Sequence, residues 1–361
     1  MKYIIAPDSF KGSISAEEFC DCAVKVIGDR QPAAKIVCMP LADGGEGTVD
    51  TVLRVKGGKY LPCTVNGASG EKLCAGIGLL DNGRTAIVEA AKALGLPIKK
   101  SGCNPENASS TGLGQMISFA ASKGVNSIII AAGGTSVNDC GMGMLSAMGV
   151  RFTDFGGNTV TPSGASMSRV MHIELLHEFE KYRNIHFTLM SDVFNPLLGE
   201  NGAATVFAPQ KGADSAMVNR LERGAASFAD VVRRVMLNDF RNVPGSGCAG
   251  GIGFAAASFL DAKIQSGAEA VLDMYGFEKE LKGADKVISG EGRFDEQSLM
   301  GKAVGTVIRR SGSVPCTVFC GTNAVKQCGG AEIIEISAGM EPEQAMTSGV
   351  KNLIQAMETY F

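Results

Sequence analysis

The sequence has no tryptophan and only three histidines among its 361 residues. The histidines, His172, His177 and His186, lie in a segment without other catalytic residue types, which argues against a histidine-based triad and a zinc site. No apolar run approaches the ~20 residues of a membrane helix, and the segment from Met1 to Phe10 turns polar too soon for a secretory signal. We therefore expect a cytoplasmic protein with no membrane partner.

Neither sign of charge is in excess, since 34 Lys and Arg residues stand against 37 Asp and Glu residues. Without a dense basic block, the chain lacks the electrostatic footprint of a protein that binds nucleic acid. Its 11 cysteines are scattered, and close pairs such as Cys20 and Cys22 lack the repeated two-residue spacing of a zinc site. We expect reduced thiols, and we expect local groups to bind any small acidic substrate.

The chain is long enough for two domains, and hydrophobic residues make up 45% of it. Both ends contain short apolar runs that are typical of buried parallel strands: Tyr3–Ala6, Lys35–Met39, Lys286–Ser289, Cys316–Cys320 and Glu332–Ile336. Amphipathic helical stretches follow four of these runs, at Ser15–Ile27, Gly47–Val55, Lys302–Arg310 and Gly349–Tyr360. Because both ends supply strands, the sequence predicts an α/β fold with one parallel-sheet domain built from residues 1–60 and 284–361.

Residues 61–283 are predicted to form a second α/β domain, inserted into the first and containing a mixed sheet. Strand-like runs at Leu73–Leu80 and Thr85–Glu89 are bounded by turn-prone Asn-Gly, Ser-Gly and Asp-Asn-Gly sequences. Later segments predict three strands and one long helix, at Ser127–Ala131, His186–Met190, Ala204–Phe207 and Met217–Met236 respectively.

Polar, glycine-rich loops follow four predicted strands of the first domain. In open parallel sheets, ligands bind beyond the carboxyl ends of the strands. Parallel strands would bring several charged residues of these loops to one edge: Asp8, Lys11, Asp43, Glu291, Arg293 and Asp295. The inserted domain has loops of the same character at residues 133–143, 191–196, 209–213 and 244–251. We expect the active site in a cleft between the two domains.

These loops have the residue types of a site for a magnesium nucleotide. Clustered carboxylates repel one another unless a cation or a proton offsets them, and Mg²⁺ would do so. Glycines permit close approach to an anion, and the loop from Gly44 to Thr48 leads into a helix whose N-terminal amides favour phosphate. The loops do not match a P-loop, since Gly301-Lys302 lacks the earlier spaced glycine and a following Ser or Thr.

Several of these features also have a purely structural interpretation. Asp43 and Asp139 could each cap the helix that follows. Gly250-Gly251 could serve close helix packing, and Lys11 and Lys211 could be ordinary surface lysines. The residues alone leave these alternatives open.

Four stretches together resemble the two-domain glycerate kinase family of bacteria: residues 6–16 (APDSFKGSISA), 40–48 (PLADGGEGT), 192–213 (DVFNPLLGENGAATVFAPQKGA) and 289–302 (SGEGRFDEQSLMGK). The likeness covers essentially the whole chain. It implies a flavodoxin-like domain formed by both chain ends, with an α/β domain inserted. It also implies ATP-dependent phosphorylation of D-glycerate, with Mg²⁺ as the metal and 2-phosphoglycerate as the usual product.

Phosphoryl transfer depends on charge neutralisation and in-line positioning, so site residues sort into anion binders, metal binders and an activator of the acceptor hydroxyl. We assign Asp43 and Glu291 to the metal. Asp192 is the first candidate base and Asp295 the second. Lys211 and Arg293 are assigned to the glycerate carboxylate or to the transferring oxygens. The remaining candidates are anion binders, mostly through backbone amides, or further binding residues from the same stretches: Lys11, Gly12, Ser13, Gly44, Gly45, Gly47, Ser9, Phe10, Asn195 and Ser298.

Alternatives to this function remain open at the level of sequence. The product could be 3-phosphoglycerate, the acceptor could be another small hydroxy acid, or the protein could bind a carboxylate or nucleotide without turnover. The sequence also leaves open whether the chain forms a homodimer.

Overall fold

The structure, a computed structural model, describes residues 1–95, 104–299, 302–325 and 329–361. The described residues form thirteen strands: β1 Lys2–Ile5, β2 Lys35–Cys38, β3 Lys59–Asn66, β4 Lys72–Leu80, β5 Thr85–Glu89, β6 Ser127–Ala131, β7 Val150–Thr153, β8 His172–Leu175, β9 His186–Met190, β10 Lys263–Gln265, β11 Lys286–Phe294, β12 Cys316–Asn323 and β13 Glu332–Glu335.

The same residues form fourteen α-helices: α1 Ala16–Arg30, α2 Thr48–Lys56, α3 Ala91–Leu94, α4 Thr111–Ala121, α5 Met142–Ala147, α6 Ala203–Phe207, α7 Ser215–Met236, α8 Cys248–Phe259, α9 Gly267–Tyr275, α10 Phe277–Leu281, α11 Glu296–Leu299, α12 Ala303–Ser311, α13 Pro342–Thr347 and α14 Gly349–Tyr360. Short 3₁₀ segments lie at Asp81–Gly83, Gly164–Arg169, His177–Tyr182 and Pro209–Lys211. None of the helices in the described ranges combines the length and apolar character needed to cross a lipid bilayer.

The described residues divide into two compact units. The first contains residues 1–43, 54–56 and 266–361, and the second contains residues 44–53 and 57–265. This division differs from the sequence-based boundaries, which placed residues 266–283 in the inserted domain. Ion pairs account for the difference, because Arg310 of α12 lies 2.7 Å from Glu269 and 2.9 Å from Asp273, both in α9.

The first unit contains a five-stranded parallel sheet in the order β13-β12-β11-β1-β2. Numbered along the chain, its strands stand in the order 2-1-3-4-5, which is the flavodoxin-like order. The second unit interrupts the chain between the second and third of these strands. Both the predicted parallel sheet and its assembly from the two chain ends are confirmed.

The core of the first unit forms between this sheet and helices that the sequence encodes locally. Ser15 and Glu18 form a capping box at the start of α1. Phe19 of α1 is fully buried and packs against Phe319 of β12, with ring centroids 6.4 Å apart. Leu353 of α14 is buried in the same cluster. Helices from both ends of the chain therefore pack in the core beside this sheet, and the loops that follow its strands extend from this packed core.

The second unit contains a six-stranded mixed sheet in the order β10-β9-β6-β5-β4-β3. The pairs β3–β4 and β4–β5 are antiparallel, and the remaining pairs are parallel. The turn after β4 has left-handed backbone at Asp81 and Asn82, as its Asp-Asn-Gly sequence predicts. The predicted second, mixed sheet is confirmed, and a small antiparallel pair, β7–β8, accompanies it.

One predicted strand of the second unit is wrong. Ala204–Phe207 was expected to be a strand, but it belongs to the helix α6. The helical bonds are present, since the Val206 amide donates to the Gly202 carbonyl at 3.0 Å. A short run such as Ala-Thr-Val-Phe fits a strand and a short helix equally well, and periodicity alone cannot separate them.

Candidate active site

The charged loops of the first unit meet at the carboxyl ends of β1, β2 and β11. The Asp8 amide donates to the Gly290 carbonyl at 2.8 Å, and the Leu41 amide donates to the Pro7 carbonyl at 2.9 Å. The loop after β1 is therefore tied to β11 on one side and to the loop after β2 on the other. The strand order reverses between β1 and β11, and in open sheets this reversal forms the crevice where ligands bind.

Glu291, assigned to the metal from sequence, is the most buried of the candidate carboxylates in the first unit, and it lies in a strand and not in the predicted loop, because β11 continues past Ser289 to Phe294. It is 9% exposed. Its Oε1 atom is buried and accepts no hydrogen bond from any described residue. Burial raises the pKa of Glu291 to about 7, opposed by a hydrogen bond from Ser298 and reinforced by the charges of Asp8 and Asp295. A buried carboxylate oxygen without a donor, beside other carboxylates, fits a bound cation.

Asp8 interacts electrostatically with both residues assigned to the metal, Asp43 and Glu291. Burial raises the pKa of Asp8, the Ser9 amide opposes this shift with a 2.7 Å hydrogen bond, and the charge of Asp43 adds to it. Asp8 also raises the pKa of Glu291. The sequence predicted that Asp8 lies at this edge of the sheet, but no function was assigned to it. Its position directly after β1 could have indicated one.

In the described part of the chain, no three His, Cys, Asp or Glu side chains are close enough to hold a metal ion by themselves. A magnesium ion does not require such a set, because it commonly binds one or two carboxylates and completes its shell with water and substrate phosphate. Asp43 is exposed at the end of its loop.

The turn after β11 fixes the second candidate base. Oδ1 of Asp295 accepts the amides of Gln297 and Ser298 at 3.0 and 3.3 Å, so Asp295 caps the short helix α11. Arg293 is exposed, with its Nε 3.7 Å from Oδ2 of Asp295. Ser298 is buried and its hydroxyl accepts the Asp295 amide at 3.1 Å. Ser298 therefore helps to position Asp295 and Glu291, and its predicted role as a substrate-binding residue stays a prediction.

The loop after β1 presents Lys11 at its tip. Phe10 and Ile14 exchange backbone hydrogen bonds of 2.8 and 3.1 Å, and Gly12 between them is exposed with φ +79°. The Phe10 ring is buried against Phe19, and the Ser13 hydroxyl donates to the Met346 carbonyl at 2.6 Å. Lys11 and Gly12 are thus open to an anion. The side chains of Phe10 and Ser13 hold the loop instead of facing a ligand, which corrects the direct binding role predicted for Phe10.

In the second unit, the backbone at Gly44 and Gly45 packs closely against the segment after β6. Gly44 has φ +83°, and its carbonyl accepts the Gly133 amide at 2.9 Å. A Cβ on Gly133 would lie 2.8 Å from Cα of Gly45. The loop therefore brings its backbone very close to the segment after β6.

Glu89, at the end of β5, hydrogen-bonds to backbone amides at the start of α2, which were predicted to bind phosphate. Its two carboxylate oxygens accept the amides of Gly47 and Val49, each at 3.1 Å, and the side chain is fully buried. The amide predicted at Gly47 to bind an anion is therefore occupied by Glu89, and Gly47 serves the local backbone instead. Sequence reasoning missed Glu89 because it is 42 residues away from Gly47 along the chain.

Lys211 is buried, with 3% of its surface exposed, and its ammonium donates to the Val137 carbonyl at 2.7 Å. The interpretation of Lys211 as a surface lysine is wrong. The next residue after Val137, Asn138, is 1% exposed, and its Nδ2 donates to no acceptor among the described residues. A buried ammonium and an amide donor without an acceptor fit a bound carboxylate or phosphate. The sequence left Asn138 without a role.

Asp192, the first candidate base, is exposed in the loop that follows β9. The preceding Ser191 holds this loop, since its hydroxyl accepts the Val193 amide at 3.3 Å. The side-chain amide of Asn195 donates to the Asn201 carbonyl at 2.9 Å. Asp192 is thus presented on a fixed turn. The Asn195 side chain supports the same loop, and its predicted binding role stays a prediction.

For the two remaining alternatives, the structural interpretation holds. Asp139 is buried and accepts the amides of Ser110, Gly141 and Gly143 at 2.7 to 3.1 Å. A Cβ on Gly250 would lie 2.0 Å from the Val137 carbonyl oxygen, so this glycine permits close packing.

Comparison with known proteins identifies the family of this chain. Residues 3–361 match the model of the glycerate kinase family. The chain belongs to the glycerate kinase family. Membership makes it a phosphotransferase with an alcohol group as acceptor.

Individual members of the glycerate kinase family are similar to this chain over most of its length. A glycerate kinase of Bacillus subtilis (strain 168) is 37% identical over 352 residues, which are 95% of this chain and 92% of that protein. A protein of Escherichia coli (strain K12) named glycerate 2-kinase is 38% identical over 305 residues, 84% and 80% of the two chains. A crystal structure described as a glycerate kinase 2 from Salmonella typhimurium LT2 superposes with a TM-score of 0.88 at 33% identity, covering 100% of this chain and 97% of that one.

Proposed function

We propose that this enzyme transfers the γ-phosphoryl group of ATP to D-glycerate with Mg²⁺ and releases 2-phosphoglycerate in the cytoplasm. Membership of the glycerate kinase family supports the acceptor. The similarity to an E. coli protein named glycerate 2-kinase supports transfer to the 2-hydroxyl.

The observation that carries the metal requirement is the environment of Glu291. Its Oε1 is buried without a donor from the described residues, and the charge of Asp8 lies nearby. Without a bound cation, this environment favours the protonated form of Glu291, in agreement with its raised pKa. A bound Mg²⁺ would neutralise negative charge on the transferring phosphoryl group. We assign Glu291 and Asp43 to hold it, with Asp8 adding negative charge at the same edge.

Each unit offers anion-binding groups of its own. In the first unit, Lys11 at the exposed tip of its loop is suited to phosphate oxygens, together with the amide of Gly12. In the second unit, the amides of Gly44 and Gly45 are assigned to an anion. Lys211 and the Nδ2 of Asn138 are suited to the glycerate carboxylate, because both are buried donors. Arg293 is exposed beside Asp295 and is assigned to transferring oxygens.

The acceptor hydroxyl must lose its proton as the new P–O bond forms. We assign this step to Asp192, whose carboxylate is exposed on a held turn. Asp295, whose Oδ1 accepts two backbone amides and caps α11, is the second candidate.

The test is a coupled assay of the purified protein with D-glycerate, ATP and Mg²⁺, with phosphorus NMR of the product and L-glycerate as the control. We expect ADP formation that depends on D-glycerate and on Mg²⁺, with 2-phosphoglycerate as the product. Formation of 3-phosphoglycerate would overturn the proposed transfer to the 2-hydroxyl, while the proposed kinase reaction with D-glycerate would stand. Absence of any phosphoglycerate in folded, ATP-binding protein would overturn the proposed acceptor.

A further inference from the structure

Two cysteines face each other beneath the Pro40–Asp43 loop, where neither has a part in the proposed chemistry. Cys20 lies in α1 and is 4% exposed, while Cys38 is the last residue of β2 and is half-buried. Their thiols hydrogen-bond to each other. The Ile5 carbonyl oxygen, 3.9 Å from Sγ of Cys20, is a further acceptor for the Cys20 thiol.

A cavity opens onto this pair. Its volume is about 270 Å³, and both cysteines line it together with Glu17, Asp21 and Arg54. Arg54 lies 3.4 Å from Asp21, so the charges at the mouth are partly paired. A small neutral molecule can therefore reach the two sulfur atoms from solvent.

The two thiols are chemically unequal. The hydrogen bond from Cys20 lowers the pKa of Cys38, whereas the same bond and burial raise the pKa of Cys20. Since the thiolate is the nucleophile, Cys38 is the sulfur that reacts first, and Cys20 is placed to resolve it. By contrast, Cys22 on the same helix is also buried, and no thiol influences its pKa.

We propose that Cys20 and Cys38 form a reversible disulfide in response to hydroperoxides, linking α1 to the end of β2. The Cys38 thiolate attacks one peroxide oxygen, the O–O bond breaks, and Cys38 becomes a sulfenic acid while hydroxide leaves and is protonated to water. The Cys20 sulfur then attacks the sulfenic sulfur, forming the S–S bond and breaking the S–O bond. The oxygen leaves as a second water with the Cys20 proton. Two thiols are oxidised and one hydrogen peroxide is reduced to two waters.

The disulfide can be detected by peptide mapping of the full chain after treatment with hydrogen peroxide and alkylation of remaining thiols. Trypsin cuts after Lys11, Lys25, Lys35 and Arg54, so Cys20 and Cys38 fall on different peptides, 12–25 and 36–54. We expect these two peptides to be joined by a bond that dithiothreitol breaks, with Cys22 alkylated on the joined species. Oxidation of Met39, on the same peptide as Cys38, is recognised by its added oxygen.

Three variants separate the proposed pair from its neighbour. Cys22→Ser is the matched control and should leave the linked peptides unchanged, whereas Cys38→Ser should abolish them. In Cys20→Ser, we expect Cys38 to stop as a sulfenic acid that dimedone traps. Linkage through Cys22, or oxidation of Cys38 to the sulfinic acid in the wild-type protein without linkage to Cys20, would overturn the proposal. The wild-type map decides the question even where a variant fails to fold, and neither result depends on kinase activity.

Discussion

Glu291 is the residue on which the proposed metal site depends most. Replacing it with glutamine removes the negative charge while keeping the size and leaving one carbonyl oxygen. We expect the Mg²⁺ concentration for half-maximal activity to rise on the order of tenfold or more. Steady-state kinetics as a function of Mg²⁺ would measure this change. Glu296→Gln is the matched control, because Glu296 is exposed only five residues further on; an equal effect in both variants would remove Glu291 from the metal site.

Asp192 is the residue on which proton removal from the acceptor depends in the proposed mechanism. In Asp192→Asn, we expect kcat to fall by about 10²- to 10⁴-fold because the amide cannot accept the proton. The KM for D-glycerate should change little, since the carboxylate is assigned to the reaction step and not to binding.

Asp261→Asn provides the control for Asp192→Asn. Asp261 is exposed in the same unit and has φ +48°, a backbone conformation that asparagine tolerates. The control should retain wild-type kcat. A normal kcat in folded Asp192→Asn would assign the base to another residue, and the same substitution at Asp295 would then be the next test.

Among the elements, α8 depends on close contact with the segment after β6. Gly250 has φ +69°, and a Cβ there would lie 2.0 Å from the Val137 carbonyl oxygen, which also accepts the Lys211 ammonium. Gly250→Ala combines left-handed strain with a steric clash, so we expect a loss of about 3 kcal/mol or more in the free energy of unfolding. The variant should also weaken D-glycerate binding, because the Val137 carbonyl must shift.

Gly276→Ala separates the two causes, because Gly276 has nearly the same φ, +71°, but a Cβ added there would meet no atom within 4 Å. Only the left-handed strain applies there, and we expect a loss of about 1–2 kcal/mol. Urea titration of both variants measures the difference. Equal losses would show that the contact with Val137 is not the reason for glycine at position 250.

The elements also show which parts of the fold can be predicted from sequence. The Ser15 capping box and the β-branched runs of the parallel sheet are local signals, and the corresponding helix and strands form where they indicate. Contacts between distant residues carry no local signal. The bonds from Gly47 and Val49 to Glu89 and the ion pairs between Arg310 and α9 join residues about 40 positions apart. The Glu89 contacts determine which backbone amides are already hydrogen-bonded. The Arg310 contacts join α9 to α12 within the first unit.

The same distinction applies to the candidate site. The ends of the predicted strands indicated Asp43, Asp192 and Glu291 as candidate site residues. Residues that follow neighbouring parallel strands lie at the same edge of the sheet, where ligands bind. Whether a side chain in such a loop faces a ligand or its own backbone depends on packing. Ser298 and Asn195 have the same residue types as ligand-binding groups, yet their polar atoms bond to neighbouring loop residues.

At the scale of the whole molecule, carboxylates with raised and lowered pKa values act on stability in opposite directions. Burial raises the pKa of Asp8, Glu89 and Asp139, whereas hydrogen bonds with Arg241 lower the pKa of Asp239 to about 2. The pH dependence of the wild-type protein is therefore a sum of opposing contributions. The contribution of one group is measured by the difference between the protein and a variant that lacks it.

Glu291 offers that measurement for the proposed metal site. Its pKa is about 7 in the folded protein against an ordinary value of 4.5, so the folded state holds the proton over this interval while the unfolded state loses it. Stability must then fall as pH rises from about 4.5 to about 7, by at most about 3 kcal/mol from this group. In metal-free buffer, we expect Glu291→Gln to gain stability relative to wild type between pH 5 and pH 8, as measured by urea titration at each pH. Saturating Mg²⁺ should stabilise wild type more than the variant at pH 8, because the cation binds the ionised carboxylate. A stability difference that stays constant with pH would show that Glu291 does not titrate in this range, and an equal response of both proteins to Mg²⁺ would place the cation elsewhere.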